Sequence, residues 1–113
     1  CFDEVQAGFY RMGELFGFMT NGDYIEPDLI SVGKGISSCL PIAAVLGRAD
    51  IIDLDLDANL SGTHAGNAIC CAASLANLEF LTDSVFQDEL KHKIQYFEQR
   101  CKKLLEEWLQ ALF

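Results

Sequence analysis

The chain has 113 residues, half of them hydrophobic, with a net charge of −9 from 17 acidic and 8 basic side chains. That length supports one domain at most, with a real core, and so apolar a composition excludes a disordered segment. The acidic balance argues against nucleic acid and anionic membrane surfaces, because phosphate rewards Lys and Arg, and its even spread reads as a solvated surface.

In chain order, Cys1-Phe2-Asp3-Glu4-Val5-Gln6 opens as an alternating strand with almost no lead-in. Gly8, Gly13, Gly17 and Gly22 then punctuate a loop-rich stretch, with a short turn of helix expected at Glu14–Met19. Pro27 introduces Asp28–Val32, an apolar run suited to a buried strand, which stops at Gly33-Lys34-Gly35. After a small-residue loop through Ser37, Ser38 and Cys39, Pro41–Gly47 reads as a second buried strand. Ala49–Asp53 suits a helical turn, and an acidic, poorly patterned stretch runs on to Asp57. From Asn67 to about Leu81 the pattern is helical, with Ile69, Ala72, Ala73, Ala76 and Phe80 on the stripe expected to face the core, widened by Leu75, Leu78 and Leu81.

Ser84-Val85-Phe86-Gln87 has the form of a capping box that opens a second helix. In that helix Phe86, Leu90, Ile94, Phe97, Cys101, Leu104, Leu105, Trp108 and Leu112 recur at spacings of three and four, which predicts one buried face. The helix runs on to Phe113 with no Gly or Pro to stop it, and both termini read as cut. Strand, loop, strand and helices give an α/β class, divided at residue 83: residues 1–83, then the helix of 84–113.

Five cysteines (Cys1, Cys39, Cys70, Cys71, Cys101) lack CxxC or zinc-ligand spacing. The expectation is a reduced cytoplasmic protein with buried thiols, no disulfide and no metal. No apolar run reaches membrane-spanning length and no signal peptide opens the chain, so no membrane association is expected.

Two residues stand out chemically. Asp3 lies near the end of the first strand and Lys34 directly follows another. Ligands in open α/β sheets gather outside the carboxyl ends of the strands, and the intervening thirty residues suffice for a crossover between parallel neighbours. A lysine between Gly33 and Gly35 is either a solvated loop residue or an unshielded amine able to form and reform an imine. Asp3, beside Glu4, is either surface charge or a partner for a protonated pyridine nitrogen. Ser61-Gly62-Thr63 before a helix is either a cap or an anion site suited to phosphate.

The literal motifs narrow these choices. Asp3 to Gly13, DEVQAGFYRMG, resembles the DEVQTGFGRTG segment of the class III aminotransferases, which include ornithine, acetylornithine and 4-aminobutyrate aminotransferases. Pro27 to Gly35, PDLISVGKG, is similar to that family's PDIxxxGKG lysine segment, and Leu40 to Arg48 resembles the strand after it. Gly62 to Asn67 looks like the T-[FYH]-x-G-N-P stretch. Departures are Ala68 for the usual proline, Tyr10 and Met12 in the arginine loop, and Ser37-Ser38-Cys39 for a glycine-rich run.

The resemblance implies part of the large domain of the type I fold of pyridoxal 5'-phosphate (PLP) enzymes, a mixed sheet flanked by helices. The helix from Ser84 would lead towards a small C-terminal domain. It implies that Lys34 forms the Schiff base with the cofactor and relays the proton, and that Asp3 pairs with the pyridinium nitrogen. Gln6 would bond the ring's phenolic oxygen, and Thr63 the cofactor phosphate held by the partner subunit of a homodimer. The reaction implied transfers an amino group from an amine or amino acid to a 2-oxo acid. A second reading is a non-catalytic structural module of the same fold. Gln6 points away from the aminomutases, which look like DEVM here, while a decarboxylating relative stays open. His64 reads as pocket lining, His92 as part of a charged helix face, Trp108 and the phenylalanines as core or interface, and Cys70 and Cys71 as inert. An isolated chain lacking the upstream phosphate loop and the ring-stacking aromatic is expected to be inactive.

Overall fold

The computed structural model describes residues 1–20, 22, 25–54 and 62–111. The acidic stretch at 55–57, Ser61, and the helix positions Leu112 and Phe113 lie outside the described residues. Two compact units are present, Cys1–Leu81 and Thr82–Phe113.

The first unit is built on a mixed sheet of three strands in the order β1 (Phe2–Asp3), β2 (Leu29–Val32) and β3 (Ala44–Gly47). β1 runs parallel to β2, pairing Phe2 with Ile30 and Asp3 with Ser31. β3 runs antiparallel to β2, from Leu29 opposite Gly47 to Val32 opposite Ala44. The expected crossover between parallel neighbours is therefore present. β1 is shorter than the alternating pattern predicts, because the Asp3 carboxylate accepts the Val5 N–H at 3.0 Å and turns the chain. β3 starts at Ala44, later than predicted, and Val45 and Leu46 are exposed. Among the described strands β2 is its only partner.

Val32 is the fully buried centre of the sheet. An aromatic chain holds the glycine-punctuated loop onto β1. Phe2 stacks on Phe18 at 5.1 Å, Phe18 on Phe16 at 5.7 Å, and Phe16 meets Phe9 edge-on at 6.0 Å. Each such pair contributes roughly 0.5–1.5 kcal/mol beyond its buried area. The predicted turn appears as a single 3-10 turn, Gly17–Met19. At the far end of β3, Arg48 bonds Asp50 at 2.7 Å and Asp28 at 3.5 Å. The Asp50 hydrogen bond raises the guanidinium pKa above its ordinary value, with Asp28 adding to it. All three side chains are exposed, so the pair adds little stability. The helical turn α1 (Ala49–Ile52) follows.

Helix α2 (Ala68–Leu81) forms where the pattern predicts, and part of the predicted stripe is covered: Ala73, Leu78 and Leu81 are, Ile69 and Phe80 are not. Ile69 is 72% exposed and Phe80 is 57% exposed, while Ser74 and Leu81 are buried and Cys70, Ala73, Asn77 and Leu78 are half-buried. The helix is apolar on nearly every side, so periodicity could not choose a face. The choice is made by Asn77, whose amide satisfies carbonyls of the Lys34 turn. The Ser74 hydroxyl, on the same stripe, has no hydrogen-bond partner among the described residues.

In the second unit, α3 spans Ser84–Ala111. Its N-cap is Asp83 rather than Ser84: the Asp83 carboxylate accepts the Phe86 N–H at 3.0 Å and its carbonyl accepts the Gln87 N–H. A carboxylate is at least as good a cap as the hydroxyl one residue on, and it also meets the positive helix end. The predicted buried face is not buried throughout. Phe86, Leu90 and Ile94 are half-buried, whereas Phe97, Leu104, Leu105 and Trp108 are exposed. A lone helix cannot cover its own stripe. The thiols are corrected as well: Cys1, Cys39, Cys71 and Cys101 are free and exposed, and Cys70 is half-buried. Among the described residues, no single helix is long and apolar enough to cross a membrane.

Candidate functional site at the strand ends

Asp3 closes β1, and Lys34 lies two residues beyond β2, its parallel neighbour. An acid and an amine thus leave the carboxyl edge of adjacent parallel strands, where open α/β sheets bind ligands. The Asp3 carboxylate is exposed and accepts the Ser31 hydroxyl at 3.2 Å as well as the Val5 amide. Ser31 therefore orients Asp3 across the two strands, a role the sequence did not signal.

Lys34 is exposed and opens a 3-10 turn, Lys34–Ile36, with φ of 38°. For a residue with a Cβ this left-handed backbone costs roughly 1–2 kcal/mol. The described non-glycine residues with positive φ are Phe9, Tyr10, Lys34 and Ser38, all in the two loops that leave the carboxyl ends of β1 and β2. The loops touch: a Cβ added at Gly35 would lie 2.8 Å from the Phe9 Cβ. Gly35 is required for this close approach, more than for the backbone freedom expected of it. Backbone strain concentrated in this way is characteristic of functional sites. Farther along the turn, buried Ser37 closes the loop, its hydroxyl donating to the Leu40 carbonyl and accepting the Leu40 amide.

Lys34 lines an open cleft of about 510 Å³ with Arg11, Ser38, Cys39, Leu40 and Pro41. A larger apolar cleft of about 640 Å³ runs along the sheet, lined by Val5, Ser31, Val32, Val45 and Ile52 among others. Asp3, Gln6 and Thr63 are not among the residues that line the Lys34 cleft. Gln6 is exposed in the turn just past Asp3. Thr63 is exposed in a turn ahead of α2, which the Ala65 N–H closes on the Gly62 carbonyl at 2.9 Å. Asn67 caps α2, its side-chain oxygen accepting the Ile69 and Cys70 amides at 3.0 and 3.2 Å. Ala68, where proline is usual, is the first helical residue, so the cap is complete without a proline there.

Two residues given no role in advance prove structural here. Glu4, beside Asp3, is only 3% exposed, and its carboxylate accepts the Gly17 and Phe18 amides at 2.7 and 3.1 Å. Alternation along the strand turns Glu4 to the opposite face from Asp3, and that much was readable. Asn77 is the second. A lone amide inside an Ala- and Leu-rich helix was the available signal.

Known proteins are similar to this chain in sequence and in fold. The family Aminotransferase class-III matches residues 1–111. The 4-aminobutyrate aminotransferase of Mycobacterium tuberculosis is 48% identical over 77 residues, 67% of this chain and 17% of that protein. The acetylornithine aminotransferase of Methanocaldococcus jannaschii is 32% identical over 107 residues, 95% of this chain and 26% of that protein. Among solved structures, an S-selective transaminase from Bacillus megaterium superimposes with a TM-score of 0.80 at 36% identity, over 93% of this chain and 23% of that one. The chain thus spans between a sixth and about a quarter of the length of these relatives. By sequence and by fold, the chain belongs to the class III aminotransferases.

Proposed function

We propose that these residues supply the lysine-bearing part of a PLP site in an enzyme that transfers an amino group from an amine or amino acid to a 2-oxo acid. The observation that carries this is the departure of Asp3 and Lys34 from the carboxyl ends of adjacent parallel strands. That arrangement fits a planar ring needing an acid at its ring nitrogen and an amine at its aldehyde. The cofactor, when bound, supplies an electron sink that acidifies the carbon carrying the substrate's amino group.

The chain's own groups then have distinct tasks. The Lys34 amine anchors the cofactor and afterwards carries the proton that leaves the substrate carbon. The Asp3 carboxylate, steadied by Ser31, keeps a proton on the pyridine nitrogen. The Gln6 amide donates to the phenolic oxygen. The outward-facing Thr63 hydroxyl donates to the cofactor phosphate of a partner subunit, so the working enzyme is a homodimer. Residues 1–83 form part of the large domain and the helix of 84–113 leads towards a small one. Free thiols fit a cytoplasmic enzyme.

The test is the visible absorbance of the purified full-length protein, as its gene encodes it. Lys34→Ala is expected to abolish the absorbance of covalently held PLP and to lower turnover by at least about a thousandfold. An unchanged spectrum refutes the assignment.

A further inference from the structure

We infer that Asn77 is a positioning residue for Lys34, holding from helix α2 the left-handed turn that presents the lysine amine. The inference rests on the reading of Lys34 as the cofactor lysine. The Asn77 side-chain nitrogen donates to the Gly35 carbonyl at 2.7 Å and to the Ile36 carbonyl at 3.2 Å. Its side-chain oxygen accepts the Ser38 hydroxyl at 3.0 Å. One side chain, 39 to 42 positions away in the chain, thus grips three of the four residues after Lys34.

The gripped segment is the strained one. Lys34 and Ser38, at its two ends, both have left-handed backbones, with φ of 38° and 60°. Such residues relax towards the right-handed or extended regions unless their surroundings hold them. Three further features hold this turn: the Ile36 and Ser38 amides donate back to the Gly33 and Lys34 carbonyls, the Ser37 side chain closes on Leu40, and Gly35 abuts Phe9. None of them satisfies the Gly35 and Ile36 carbonyls, which Asn77 does. The chemistry is specific to a short amide, the side chain able to donate two N–H bonds and accept an O–H at this reach. Aspartate has the same shape but turns an acceptor towards two carbonyls. Because Lys34 must release the cofactor and return to the same atom in each cycle, a turn held in one conformation keeps its amine in range.

The test uses the full-length protein with Asn77→Ala, Asn77→Asp and Ser38→Ala. The first readout is amide hydrogen exchange in the cofactor-free protein. Asn77→Ala is expected to speed exchange at Ile36 and Ser38 by about tenfold or more, leaving Leu29–Val32 of β2 unchanged. Asn77→Asp should be worse than alanine at pH 8 and recover towards wild type as pH falls and its carboxyl gains a donor proton. The alanine ratio to wild type should stay flat with pH. Ser38→Ala, at an exposed position that loses one bond, should give the same effect in smaller degree and serves if the Asn77 variants fail to fold. The second readout is retention of PLP, expected to weaken by about tenfold in step with the loss of protection. Wild-type exchange at Ile36 and Ser38 in Asn77→Ala overturns the hold. Faster exchange with unchanged retention overturns the positioning role. Should Lys34→Ala keep its visible absorbance, the functional reading fails, while the exchange data still decide the hold.

Discussion

Around Lys34 the turn is fixed by its own chain: Asn77 grips three of its residues, Ser37 closes it on Leu40, and Gly35 presses against Phe9. Around Thr63 the described contacts are fewer. Among the described residues one backbone bond closes the turn, residues 62–67 are exposed, and a Cβ added at Gly62 or Gly66 would meet nothing within 4 Å. The two turns carry comparable small-residue motifs, yet among the described residues side-chain holds are seen only at the first. That difference suits the proposed division of labour, in which Lys34 serves its own subunit and Thr63 is offered to a second one.

Substitutions in either turn test this difference. The largest effect after Lys34→Ala is expected from Glu4→Ala. It strands two amides that now bond a buried carboxylate, at a cost of about 3 kcal/mol. It also frees the loop whose Phe9 backs Gly35, so urea unfolding should begin earlier and PLP retention should fall with it. A variant as stable as wild type contradicts the role assigned to Glu4. Next comes Gly35→Ala, whose new methyl must displace Phe9 from 2.8 Å; about 1–3 kcal/mol is expected from such overpacking. Gly62→Ala is the smallest, within about 0.5 kcal/mol, because its Cβ would point into open space. Equal losses at Gly35 and Gly62, measured by the same unfolding midpoints, would erase the contrast between the two turns.

Much of the architecture was legible in the sequence because punctuation and pattern agreed. Pro27 and Gly33 bracket β2, Asn67 starts α2, and the lysine loop falls where the strand ends. What could not be read depended on contacts distant in the chain. The stripe of α2 was only partly right, holding for Ala73, Leu78 and Leu81 but not for Ile69 and Phe80, because an apolar helix gives periodicity little to choose with and a polar residue, Asn77, made the choice. Glu4 was given no role because its partners, Gly17 and Phe18, are thirteen and fourteen residues away. The cap of α3 was placed one residue late because Asp83 and Ser84 are both good caps. The thiols were expected to be buried from their apolar character alone, yet composition says nothing of what lies opposite them.

On the proposed function Lys34, and no other amine, anchors the cofactor. The direct measurement is to load the full-length protein with PLP, reduce it with borohydride, digest it and locate the retained cofactor mass by mass spectrometry. That mass is expected on the peptide containing Lys34, in near-stoichiometric yield. Its appearance on a helix lysine such as Lys91 or Lys103, or its absence from every peptide, would contradict it.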